Sequence, residues 1–304
     1  MKPIIFDVDT GIDDALAMAY ALNSPELEVI GFTTVFGNVP VVDATRNTLT
    51  VLEKVAQTIP VYEGAAQTLM GRDKINWPKH VHGEGGLGDR FISDPITKAE
   101  SQFAPDFIIE QVKKRPHEIT VIAVGPLTNL ALAIKKSPEI IPLVKEVIVM
   151  GGAVNVPGNV NEYSEANILC DSEAAEYVLS SGIQLTLVGL DVTMKTLLPK
   201  SKLDKWRTDG QEKGHFFADM TEFYIGHYEK TFPGIKGCAL HDPLAVGVAI
   251  DSSFVKTETM NVKVVTEGEE AGRTVGTHEE EATTRVCTEI DANRFLEHFL
   301  ERVI

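Results

Sequence analysis

Over its first 190 residues the chain alternates short apolar runs with segments whose apolar positions recur at helical spacing. Residues 3–8 read as a buried strand, 13–22 as a helix of small and apolar residues, 27–34 as a second strand and 42–56 as a helix. The series continues with strands at 59–62, 119–124, 144–150 and 184–190, and helices at 106–114, 127–136 and 172–180. Strands separated by helical segments of about 10–15 residues make βαβ units and hence a parallel sheet. Ligands on such sheets collect beyond the carboxyl ends of the strands, so functional residues are expected just after these runs.

Residues 67–94 break the rhythm: they lack periodicity and are rich in Gly, His and Asp, as functional loops often are. Residues 200–236 turn polar, aromatic and helical in pattern. Strand-like runs at 260–265 and 284–289, an acidic loop and a closing helix near 291–302 end the chain. Repeats, low-complexity tracts and Gly/Ser- or Pro-rich linkers are absent from the sequence. The expected architecture is one α/β domain over residues 1–304: an open, mostly parallel Rossmann-like sheet flanked by helices, with a small C-terminal strand/helix appendage.

Composition narrows the function classes. At 43% hydrophobic and 24% charged, the 304 residues suit a globular chain and are too apolar for disorder. A formal net charge of -16 repels phosphate backbones, so nucleic acid is not an expected partner, whereas a divalent cation is compatible. Cys170, Cys238 and Cys287 are scattered and odd in number, which argues against a disulfide framework and a thiolate zinc site. The start MKPIIFDVDTG has three consecutive apolar residues, short of the roughly 7–15 of a secretory h-region. No stretch approaches the roughly 18 apolar residues of a membrane span, so a soluble, cytoplasmic protein without a membrane partner is expected.

The most informative run is FDVDTGIDDALA, where Asp7, Asp9, Asp13 and Asp14 fall together directly after an apolar strand. Asp7 and Asp9 lie on one side of an extended chain, Gly11 allows a turn, and Asp13 and Asp14 begin a helix. Either of the last two alone reads as a helix cap. Four together would be costly unless a cation neutralises them, and oxygen ligands without His or Cys suit Mg²⁺ or Ca²⁺. The tripeptide DTG also occurs in aspartic proteases, but a single copy in a βαβ setting does not fit them. DVDT resembles the signature of haloacid dehalogenase-type phosphohydrolases, with Asp7 as nucleophile and Asp9 as acid/base. Lys145, however, precedes an apolar strand, the wrong end for that chemistry.

The runs DVDTGIDDALA, TTVFGN, HVHGEGG, AVGPLTN, VIVMGGA, EANILCD and LHDP, in that order from Asp7 to Pro243, resemble the inosine-uridine-preferring nucleoside hydrolase family. The resemblance implies hydrolysis of the N-glycosidic bond of ribonucleosides to ribose and free base, a role in nucleoside catabolism or salvage, a tightly held Ca²⁺, and a homodimer or homotetramer. It places the metal on Asp9, Asp14, Asp242 and the backbone carbonyl of Val124, with Asp9 also the general base on a metal-held water. Asp13, Asn38, Asn159, Glu165 and Asn167 match ribose-binding positions. His241 matches the proposed leaving-group acid, and His82 lies on the loop expected to cover the base. Tyr224, His227 and Tyr228 are candidates for base contact. The chemistry suits this set: the transition state is oxocarbenium-like, nearby oxygens stabilise its charge, and water attacking opposite the base inverts C1′.

Plainer readings stand beside these. His241 could be a satisfied core histidine, and His82 a capping or solvent-facing one. Asp7 fits a strand-end hydrogen bond better than catalysis, Asn129 could stabilise the turn into the next helix, and the aromatic spacing at 223–228 would equally serve packing. Met150 suits the core with an edge at the sugar. Thr10 stands where members often carry proline. A non-catalytic nucleoside- or ribose-binding protein would keep the same pocket.

Overall fold

The computed structural model describes residues 1–89 and 94–304; the end of the irregular 67–94 stretch, residues 90–93, lies outside the described residues. Strand β1 (Lys2–Val8) and helix α1 (Ile12–Leu22) open the chain, followed by β2 (Leu27–Thr34), α2 (Val41–Lys54) and β3 (Val61–Glu63). A short α3 (Lys79–His82) interrupts the expected loop. Then come α4 (Ala104–Lys114), β4 (Thr120–Ala123), α5 (Thr128–Lys136), β5 (Glu146–Met150), α6 (Ala166–Cys170) and α7 (Ser172–Leu179). β6 (Leu185–Val188) leads to a short α8 (Leu190–Thr193) and β7 (Leu197–Pro199). The aromatic segment forms α9 (Leu203–Asp209) and the long α10 (Gln211–Thr231), divided at Gly210. β8 (Gly237–Ala239), α11 (His241–Ile250), β9 (Val255–Val264), β10 (Thr274–Thr277), β11 (Thr284–Ile290) and α12 (Ala292–Leu300) complete the order.

Among the described residues nine strands form one sheet in the order β10-β9-β11-β6-β5-β4-β1-β2-β3. From β11 to β3 every neighbouring pair is parallel; the antiparallel pairs are β11–β9 and β9–β10 at one edge. The C-terminal strands therefore continue the main sheet, with β11 paired to β6 from Thr284 opposite Leu185. Alternation along β1 divides the interior between two faces: Ile4, Phe6 and Val8 join one apolar cluster, and Ile5 the other. Burial on both faces is why the central strands read as continuous apolar runs. Helix α12 seals the first face with Phe295 and Phe299, both fully buried and packed edge-on to Tyr20. Among the described residues no helix is long and apolar enough to cross a membrane.

Helix α11 was not visible in the sequence pattern because HDPLAVGVAI is apolar on nearly every side, and all but its last residue are buried. A helix without a polar face has no 3.6-residue signature. The pair β7–β8 forms a separate two-stranded antiparallel ribbon, Leu197 opposite Ala239.

Behind the carboxyl end of β1 sits a polar knot that fixes three strands together. Asn129, near the start of α5, donates through Nδ2 to Asp7 Oδ1 (2.8 Å) and to the Thr34 carbonyl (2.9 Å), and its Oδ1 accepts from the Ala65 amide (2.9 Å). Thr33 Oγ1 also donates to Asp7 Oδ1 at 2.6 Å. Asn129 thus spans β1, β2 and the chain after β3 rather than stabilising its own turn. Burial pushes the Asp7 carboxyl up to about 7, partly opposed by the hydrogen bonds from Asn129 and Thr33. Asn129→Ala strands a buried amide and a carbonyl and is expected to lower stability by about 2–4 kcal/mol, measured by urea unfolding followed by circular dichroism.

Candidate active site

The carboxyl ends of the parallel strands open onto a cleft of about 1750 Å³, and every site residue the family resemblance implied lines it except Asp14. Asp9 follows β1, Asn38 follows β2, Val124 follows β4, and Met150 ends β5. The connection from β5 into α6 brings Asn159, Glu165 and Asn167. The opposite wall comes from helices: His82 from α3, Tyr224, His227 and Tyr228 from α10, and His241 with Asp242 from the start of α11.

The floor is acidic and buried. Asp14 serves as the cap of α1 that its position suggested: Oδ2 accepts from the Gly11 amide at 2.9 Å and Oδ1 from the Asp9 amide at 3.0 Å. Asn38 ties two carboxylates together, its amide donating to Asp9 Oδ2 (2.7 Å) and its Nδ2 to Asp14 Oδ2 (3.1 Å). Tyr224 donates to Asp13 Oδ2 over a long 3.4 Å. Asp9 Oδ1 and Asp13 Oδ1 are buried with no hydrogen-bond partner. Asp13, Asp14 and Asp242 each offer an oxygen within 4.8 Å of the others; this trio holds Asp13 where the resemblance implies Asp9, whose backbone amide donates to Asp14 and whose carboxylate feels the Asp14 charge. Glycine makes the crowding possible: a Cβ at Gly37 would stand 2.0 Å from Asp9 Oδ2.

Electrostatics follow from this packing. Burial, then the facing Asp14, hold Asp9 well above the usual carboxylate range, and burial with Asp13 pushes Asp14 up to about 7. Asp242 is raised by burial and then by Asp13, Asp14 and Asp9. Asp13 is raised by burial, opposed by the charge of His241. Such a group is unfavourable alone and becomes favourable around a hard cation, which two partnerless carboxylate oxygens and an all-oxygen donor set fit. The Val124 carbonyl, expected among the donors, accepts a hydrogen bond from Asn167 Nδ2 at 2.7 Å.

On the flank formed by the chain after β5, Asn167 Nδ2 also reaches the Met150 carbonyl at 3.2 Å. Glu165 is the cap of α6, accepting from the amides of Asn167 (2.8 Å), Ile168 (3.1 Å) and Gly152 (3.0 Å). Asn159 is exposed, and its Oδ1 accepts from the Ala166 amide at 3.0 Å. These groups line the cleft while already holding one another in place.

The helical wall is aromatic and neutral. His82 Nδ1 accepts from the Ile12 amide at 3.2 Å, which leaves the ring proton on Nε2, and the ring stacks on Tyr224 with centroids 5.6 Å apart. Burial, then the charges of His227, His80 and Lys74, lower His82 to about 3. Burial likewise lowers His241, opposed by Asp13. Both nitrogens of His241 are engaged: Nε2 with the Tyr228 hydroxyl (2.7 Å) and Nδ1 with Thr193 Oγ1 (2.7 Å). His227 is half-buried and packs edge-on against His80.

Two participants escaped sequence reasoning. Thr193 lies a short helix beyond β6, where the strand-end rule would have looked, but nothing in the local sequence marks it. Asn47 in α2 donates to the Thr10 carbonyl (3.0 Å) and the Gly85 carbonyl (2.7 Å), clamping the His82 loop to the turn before α1. Asp7 does not line the cleft; its Oδ1 is taken by Thr33 and Asn129, and its Oδ2 is buried without a partner. The strand-end role holds, and a nucleophilic Asp7 does not.

Acidic floor, amide-rich flank and aromatic wall suit hydrolysis of a glycosidic bond between a polyhydroxylated sugar and a flat leaving group. Residues 4–297 match the family described as inosine-uridine preferring nucleoside hydrolase. The chain is 39% identical to a probable uridine nucleosidase 2 of Arabidopsis thaliana, over all of this chain and 98% of that protein. It is 35% identical to a pyrimidine-specific ribonucleoside hydrolase, RihB, of Escherichia coli, over 97% of this chain and 94% of that protein. A purine-preferring ribonucleoside hydrolase from Gardnerella vaginalis superposes with a TM-score of 0.96 at 42% identity, covering 99% of this chain and 98% of that one. The chain belongs to the inosine-uridine preferring nucleoside hydrolase family and is a nucleoside hydrolase.

Proposed function

We propose that the protein splits the N-glycosidic bond of ribonucleosides into ribose and free base by attack of water at C1′, with Ca²⁺ at the acidic floor. The observation that carries this reading is the pair of partnerless buried oxygens, Asp9 Oδ1 and Asp13 Oδ1, on residues that line one cleft together with His241 and the aromatic wall. Asp9, Asp14, Asp242 and the Val124 carbonyl would hold the cation. When bound, Ca²⁺ neutralises the carboxylates and makes a water easier to deprotonate.

The chain's own groups do the rest. Asp9, with a free oxygen and a basicity raised by burial and Asp14, takes the proton of the attacking water. Asp13, Asn38, Asn159, Glu165 and Asn167 bracket the ribose hydroxyls and place oxygens near the positive charge that grows at C1′. Across the cleft His241, through its Nε2 edge, and Tyr228 stabilise the departing base, while His82 and Tyr224 offer flat faces to it. Water enters opposite the base, so the ribose is released with inverted C1′.

A panel of purine and pyrimidine ribonucleosides and their 2′-deoxy forms, read by reducing-sugar release, tests the reading. Ribose should appear from ribonucleosides and fall sharply for 2′-deoxy substrates; no sugar from any ribonucleoside overturns it. Asp9→Asn should reduce kcat about 10²–10⁴-fold, measured on the best substrate of that panel. His241→Ala should hurt nucleosides, whose bases leave poorly, far more than p-nitrophenyl riboside, whose leaving group needs no proton; steady-state kinetics on both substrates checks this.

A further inference from the structure

Thr193 is fully buried, and among the described residues its hydroxyl has His241 Nδ1 as its hydrogen-bond partner, 2.7 Å away. Local backbone holds this hydroxyl opposite the ring. The Thr193 amide donates to the Gly189 carbonyl (3.1 Å), and Thr196 Oγ1 donates to the Thr193 carbonyl (2.8 Å). The Leu240 amide donates to the Thr196 carbonyl at 2.9 Å, immediately before His241. The β7–β8 ribbon then pairs Leu197 with Ala239, so the turn bearing Thr193 and the start of α11 are stitched together on both sides. The far nitrogen of the same ring, Nε2, meets Tyr228 at 2.7 Å. A hydroxyl can donate or accept, so Thr193 keeps its bond whichever ring nitrogen carries the proton. Without it, rotation about the Cβ–Cγ bond would cost the ring one partner rather than two.

We propose that Thr193 is a positioning residue for departure of the base: by holding Nδ1 it aims the Nε2 edge of His241 at Tyr228 and the cleft. This rests on the reading of His241 as the group that assists the leaving base. In other metal- and triad-type sites the outer partner of a histidine plays this part.

The test uses the full-length enzyme with Thr193→Val, which keeps the shape, and Thr193→Ser, which keeps the hydroxyl. Thr193→Val should lower kcat on inosine and uridine about 10- to 100-fold while KM moves less than about twofold and p-nitrophenyl riboside turnover is nearly unchanged. Thr193→Ser should restore nucleoside turnover. Long-range ¹H–¹⁵N spectra, assigned against His241→Ala, should show the Nδ1 resonance of His241 displaced in the valine variant and returned in the serine variant. Equal losses on both substrate types, failure of serine to restore turnover, or an unmoved Nδ1 resonance would each overturn the inference. If His241→Ala discriminates between the substrates and Thr193→Val does not, the positioning role alone falls; if His241→Ala fails to discriminate, the leaving-group reading beneath it falls as well.

Discussion

Everything around the cleft answers to one constraint: four carboxylates from opposite ends of the sequence are buried at the same place. Like charges in a dry setting repel and lose their hydration, so the arrangement is unfavourable unless something shares their oxygens. The fold supplies part of the answer with backbone amides at the start of α1 and with Asn38. At the cleft it leaves Asp9 Oδ1 and Asp13 Oδ1 without a partner, buried on residues that line the cavity. Stability and chemistry meet at those two atoms.

The polar groups divide accordingly. Asp7 and Asp14 sit nearest the sheet and spend oxygens on Thr33, Asn129 and helix amides. Asp9, Asp13 and Asp242 stand one layer further out and border the cleft. The histidines show the same layering: His82 turns one nitrogen to the start of α1, and His241 is held by threonine on one edge and tyrosine on the other.

The parallel sheet and its flanking helices were legible because strands buried on both faces and half-buried helices leave distinct periods in the sequence. The acidic run after β1 pointed directly to Asp9, Asp13 and Asp14, while Asn38, Val124, Glu165, Asn167, His241 and Asp242 were reached through the family resemblance. Helix α11 was hidden by its uniformly apolar surface, and the ribbon β7–β8 by strands of three residues each. The C-terminal strands read as an appendage because separation along the chain says nothing of partner, and β11 lies beside β6 in the sheet. Polar residues that act through others are harder still. Asn129, Asn47 and Thr193 look like ordinary helix residues until the partners of their side chains are known, and those partners lie far away in sequence.

The distance along the chain between Asp9 and Asp242 carries a developmental consequence. A nascent polypeptide must extend through residue 242 before the last of the four floor carboxylates exists, and through residue 286 before β11 can pair with β6. Until residue 242 is added, Asp13 and Asp14 lack the third member of their trio, Asp242. The complete floor therefore forms only when the chain after the first strand and the start of α11 come together.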